Sequence, residues 1–189
     1  MTAINVILLN DSVTLVTDTK ASGLDGRSFN VSKVAQIPHM QLAVATRGKI
    51  TALDTVARLI AAHAFSYESA RAYLASQFSI LGVGDVEVFL AGWSEAGPAA
   101  CFISTVNSGG KIFDIAPLGV AVTPIVDQAL YERFATDPIA TMPDLLAAQH
   151  RGNSSVGGFV NVTTVRAETI QTYTAGMINE LAWRAPLAA

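Results

Sequence analysis

Over the first 48 positions, short apolar runs rich in β-branched residues alternate with turn chemistry; after them helical spacing takes over. Residues 4–9 and 13–17 flank Asn10-Asp11-Ser12, and this predicts an antiparallel hairpin. Residues 34–37 and 42–45 flank Pro38-His39 and predict a second one. Between the hairpins, residues 21–30 carry Gly23, Asp25 and Gly26 and read as a loop able to border a cleft. Leu53, Val56, Ala57, Ile60 and Ala64 then recur at helical intervals, and Thr51 with Asp54 has the spacing of a variant capping box. Ser66 opens a second helix with an apolar stripe of Ala70, Tyr73, Leu74, Phe78 and Leu81. Residues 86–91, 99–104 and 111–115 predict a strand meander. Residues 124–134 predict a helix with proline in its first turn, and residues 144–150, after Pro143, begin another. Residues 159–165 and 170–173 form a last strand pair, and the tail is a short helix at most, with Trp183 a docking residue. Strands, a helix pair, strands, a helix pair and strands again predict an α+β fold.

Composition narrows this picture. The 189 residues suit one domain spanning 1–189, with no internal repeat or linker. Apolar content of 51% against 14% charged residues implies heavily buried strands or extensive subunit contacts. A net charge of −3 with no basic run argues against nucleic acid as the main partner. The single cysteine, Cys101, sits in an apolar run and excludes both an intrachain disulfide and a cysteine-based metal site. His39, His63 and His150 lack metal-ligand spacing, and no cofactor is expected. Neither a signal peptide nor a membrane span is read from the sequence, so a cytoplasmic location is expected. The glycine-rich pieces at 82–85, 108–111 and 155–158 match neither a P-loop nor a dinucleotide fingerprint.

Three residues of the first third carry candidate chemistry. Thr2 follows Met1, so removal of the methionine would leave a free α-amine beside a β-hydroxyl. Asp18 ends the second apolar run, where an up-and-back chain returns near its start, and Lys33 opens the third. A threonine hydroxyl needs activation by a base. The amine of the same residue can serve, since α-amines titrate near pH ~8. A neighbouring lysine would lower the hydroxyl pKa, and an aspartate would hold that lysine charged and aimed. Taken singly, each residue also has a structural explanation: a permissive second residue, a strand end and a solvated strand edge.

Their spacing, with T-D-T-K-A-S around the aspartate and V-S-K-V around the lysine, resembles the proteasome β-subunit family and its bacterial ATP-dependent relative. The resemblance places that family's catalytic threonine, aspartate and lysine on Thr2, Asp18 and Lys33, with one residue lost in the loop before the lysine. It implies an oxyanion-hole N–H at Arg47 by strict count or at Gly48 by residue type; the bulk of an arginine favours Gly48. It implies that Asn153, Ser154 and Ser155 stand in for the late acid and serines that support the lysine and terminal amine, with asparagine where the family has the acid. Ala21 and Ser22 would pair with a peptide as an added strand, and Ala45 with Lys49 would shape the specificity pocket. The implied fold is a four-layer αββα sandwich of two antiparallel sheets between helix layers. The implied function is an N-terminal threonine peptidase acting on peptides or unfolded proteins in a homo-oligomeric ring, with any ATPase partner left open. A non-catalytic scaffold subunit of the same fold is the alternative.

Overall fold

The computed structural model describes residues 2–23 and 25–178. The first hairpin forms as expected: β1 (Ile4–Leu8) runs antiparallel to β2 (Val13–Asp18), with Ile4 opposite Thr17. The loop expected at residues 21–30 contains a small ribbon of its own, β3 (Lys20–Ser22) paired with β4 (Ser28–Asn30). The second hairpin joins β5 (Val34–Ile37) to β6 (Leu42–Gly48) through a 3-10 turn at Pro38–Met40. Two helices, α1 (Thr51–His63) and α2 (Tyr67–Gln77), lead to a meander of β7 (Val86–Ser94), β8 (Gly97–Ser104) and β9 (Ile112–Asp114). Then come β10 (Val120–Thr123), helices α3 (Gln128–Thr136) and α4 (Pro138–Gly152), and the pair β11 (Phe159–Val165) and β12 (Ile170–Met177). The strands make two five-stranded antiparallel sheets besides the ribbon, in the orders β10-β1-β2-β11-β12 and β5-β6-β7-β8-β9.

Three apolar clusters follow from the alternation of side chains along these strands. Leu42, Val44, Val88 and Leu90 meet Val56 and Ile60 of α1 and Ala70 and Leu74 of α2. Ala3, Ile7, Val16 and Val162 meet Leu130 and Phe134 of α3 and Met142, Leu145 and Leu146 of α4. Ile4, Val6, Val13 and Leu15 of one sheet meet Ala43, Ala45, Phe89 and Ala91 of the other. Both faces of β1 are therefore covered, which is why its sequence is a nearly continuous apolar run instead of an alternating one. The polar exception is Asn5, whose amide exchanges hydrogen bonds with Gln149 of α4 at 3.0 and 2.9 Å.

Several expected boundaries move. The Thr51/Asp54 capping box does not form: Ile50 occupies the cap position of α1 and makes no side-chain bond. Ser66, by contrast, caps α2 in a reciprocal box with Ser69. The helix expected from residue 124 starts only at Gln128, where the Asp127 carboxylate accepts the Leu130 N–H. The helix expected from residue 144 starts at Pro138 and runs through Pro143, because Asp137-Pro138 supplies the stronger cap-and-first-turn pair. Among the described residues no helix is long and apolar enough to cross a membrane. The tail with Trp183, and Met1, lie outside the described residues.

Candidate active site

The β1–β2 hairpin brings the beginning of the chain back against Asp18. Asp18 donates its N–H to the Ala3 carbonyl at 3.4 Å, and its Oδ1 accepts the Ala3 N–H at 2.8 Å. Thr2, one residue earlier, is 6% exposed. Asp18 has no exposed surface. Its Oδ1 also accepts from Lys33 Nζ at 2.8 Å, and its Oδ2 accepts the N–H of Gly157 at 2.9 Å. Lys33 Nζ donates in addition to the Lys20 carbonyl at 2.5 Å. The aspartate thus joins four separate stretches of chain, and the lysine is oriented by two acceptors.

Burial of Lys33 pushes its ammonium pKa below the ordinary lysine value, and the charge and hydrogen bond of Asp18 oppose that shift without cancelling it. A lysine so placed releases a proton more readily than a solvated one. Thr2 and Lys33 both line a cavity of about 580 Å³, together with Ala21, Ser22, Thr46 and Gly48.

The end of β6 sets the two candidate oxyanion-donor positions apart. Alternation sends Thr46 to the cavity and Arg47 to the opposite face, where its guanidinium pairs with Glu87 at 2.9 Å. That side chain lines a different hollow, with Asp85, Ser104 and Asn107, and so does not crowd the larger cavity. Gly48 borders both. Its φ is +136°, and a Cβ built there would stand 2.5 Å from the Asp85 carbonyl oxygen, so only glycine fits. Ala45 departs from the expectation: it is fully buried among the side chains shared by the two sheets, and Thr46 takes the cavity-facing place. Lys49 lines the cavity.

The late segment divides its members. Asn153 follows the end of α4, where its Oδ1 accepts the Ser155 N–H at 3.0 Å, and it lines a separate hollow with Pro124 and Gln149. Ser154 contributes its carbonyl oxygen, which accepts from Lys20 Nζ at 2.7 Å. Ser155 reaches the cavity. Gly157, not singled out in the sequence, supplies the backbone N–H on Asp18. Its neighbour Gly158 adopts φ +75°, and a Cβ there would run into the side chains of Asn30 and Thr19. The glycine-rich stretch at 155–158 gave no sign in the sequence of what its N–H groups bind. Lys20, Phe29 and Ser32 are further cavity residues without a sequence signal of their own. No group of three or more His, Cys, Asp or Glu side chains that could hold a metal ion occurs among the described residues.

No family model and no curated protein matches the chain. Among solved structures it is similar to an Anbu mutant from Hyphomicrobium sp. strain MC1, with a TM-score of 0.74 and 14% identity over 93% of this chain and 87% of that one. It is also similar to Anbu, an ancestral β-subunit, from Yersinia bercovieri, with a TM-score of 0.71 and 14% identity over 92% of this chain and 87% of that one. These likenesses show a shared fold.

Proposed function

We propose that this protein is an N-terminal-nucleophile amide hydrolase that cuts peptides with Thr2. The fold shared with an Anbu β-subunit supports this reading, as does the placing of Thr2 and Lys33 on one cavity. The observation that carries it is the buried Asp18 carboxylate, which holds Lys33 Nζ at 2.8 Å and the Ala3 N–H at 2.8 Å. Once the bond between Met1 and Thr2 is cut, the α-amine of Thr2 takes the proton from its own hydroxyl as Oγ attacks the peptide carbonyl. The Lys33 ammonium favours the developing alkoxide, and the N–H of Gly48 faces the oxyanion. Collapse of the tetrahedral intermediate passes the proton to the departing amine and leaves an ester on Thr2, which water then hydrolyses. An oxyanion donor of this kind is worth about two to three powers of ten in rate.

On the same reading the chain is one domain, its three apolar clusters fill a four-layer αββα sandwich, and it works in the cytoplasm as a homo-oligomeric ring on unfolded or peptide substrates. A scaffold subunit without turnover is the second reading. Asn153 favours it, because it supplies no negative charge and lies away from the cavity.

Intact mass combined with an epoxyketone probe separates the two. Loss of Met1 and a covalent adduct on Thr2, with hydrolysis abolished in Thr2→Ala, is the expected outcome. Quantitative retention of Met1 in active protein would refute the amine-as-base mechanism.

A further inference from the structure

The lining of the cavity is unbalanced in charge. Among the described residues the cavity is lined by Lys20, Lys33 and Lys49 and by no aspartate or glutamate. Lys33 is committed to Asp18, and Lys20 spends one N–H on the Ser154 carbonyl. Lys49 is exposed, and its ammonium makes no hydrogen bond or ion pair with any described residue. Three acids of the flanking segments are accounted for elsewhere. Asp25 accepts the Arg27 N–H at 3.0 Å, Asp85 lines the neighbouring hollow, and Glu87 holds Arg47. Gly84 lies beside the lysine: a Cβ there would stand at ordinary contact distance, 3.5 Å, from Lys49 Nζ. Beside these cations stand apolar side chains with exposed surface: Phe29 at 45% and Ile50 at 46%, with Leu53 behind.

We infer that the cavity selects a peptide residue whose side chain ends in a carboxylate, glutamate above all, immediately before the bond to be cut, with Lys49 as its ionic partner. The inference rests on the peptide-cutting reading of the site. Gly48, the residue assigned to the oxyanion, and Lys49 are consecutive and both line the cavity, which puts the lysine beside the reacting carbonyl in the proposed mechanism. A glutamate places its two methylenes against Phe29, Ile50 and Leu53 and its carboxylate at the Lys49 ammonium. Glutamine has the same shape without the charge, and lysine brings like charge to a site that already holds three cations.

The test is binding of acetylated, C-terminally amidated tripeptides that differ only in the last residue (Glu, Gln, Leu or Lys), measured by calorimetry on the full chain and followed by turnover of the matching fluorogenic amides. Glutamate should bind about fivefold more tightly than glutamine, as expected for a partly solvated ion pair. The advantage should shrink as salt rises from about 50 to about 500 mM. Lys49→Gln should remove it and Lys49→Arg keep it. Equal affinity for Glu and Gln, a preference that survives Lys49→Gln, or failure to bind any of the four peptides overturns the inference. Selective binding without turnover would instead refute the peptidase reading alone, and turnover without preference would refute the inference alone.

Discussion

Lys33 has a folded-state pKa set by two opposed effects, and the sign of the result has a measurable consequence. Burial lowers it from the ordinary value of 10.5, and the Asp18 charge only partly restores it. Between the lowered value and 10.5 the folded chain has lost a proton that the unfolded chain still holds. Stability contributed at this position therefore rises with pH through that window, and is flat below it. The difference in unfolding free energy between the wild type and Lys33→Met should shift toward the wild type as pH is raised there; a shift the other way would contradict the burial argument. Thr2, Asp18 and Lys33 could be singled out as candidates because the hydroxyl, acid and amine have a recognisable spacing. Gly157 was not, because a backbone N–H donor has no side-chain signature and its partner is 139 positions away.

At the level of elements, the last residues of β6 do the most to shape the site. Along this strand the side chains of Leu42 and Val44 meet the helices, Thr46 lines the cavity, and Ala43 and Ala45 meet the other sheet. The apolar run itself was readable, but not which of its two buried faces belonged to the cavity, since both carry small or branched residues. That ambiguity misplaced Ala45 by one position. The helix ends show the same limit: the serine box at Ser66 was visible locally, whereas Pro143 looked like a boundary until Pro138 claimed the first turn of α4. Gly48→Ala should cost roughly 1–3 kcal/mol for backbone strain at a positive φ. Because the new Cβ would meet the Asp85 carbonyl, the strand end should shift and hydrolysis should fall further than stability, as read by melting temperature alongside turnover. Unchanged turnover would remove Gly48 from the proposed mechanism.

Across the whole molecule, the cavity stands at the ends of both sheets: Thr2 and Lys20 flank strands β1 and β2, while Thr46 and Gly48 belong to β6. Packing far from it should therefore govern whether the chain holds together and not what the cavity recognises. Phe134 is fully buried between α3 and the first sheet and lines no part of the cavity. Phe134→Ala should cost about 3–5 kcal/mol in urea denaturation. The glutamate-over-glutamine preference should persist under conditions where the variant remains folded; its loss would tie specificity to the distant core. The α+β class was legible from the order of elements, because the switch from short branched runs to helical spacing is strong on both sides of residue 48. How the sheets and helices meet was not, since the clusters join residues more than a hundred positions apart. The bonds of Asp18 bear on the history of each molecule as well. Among the described residues its carboxylate bonds to Ala3, Lys33 and Gly157, all of which lie after Thr2. If the proposed mechanism holds, cutting ahead of Thr2 would expose an amine beside an acid–lysine pair that the fold has already joined, and activation would need one bond broken and no rearrangement of that pair.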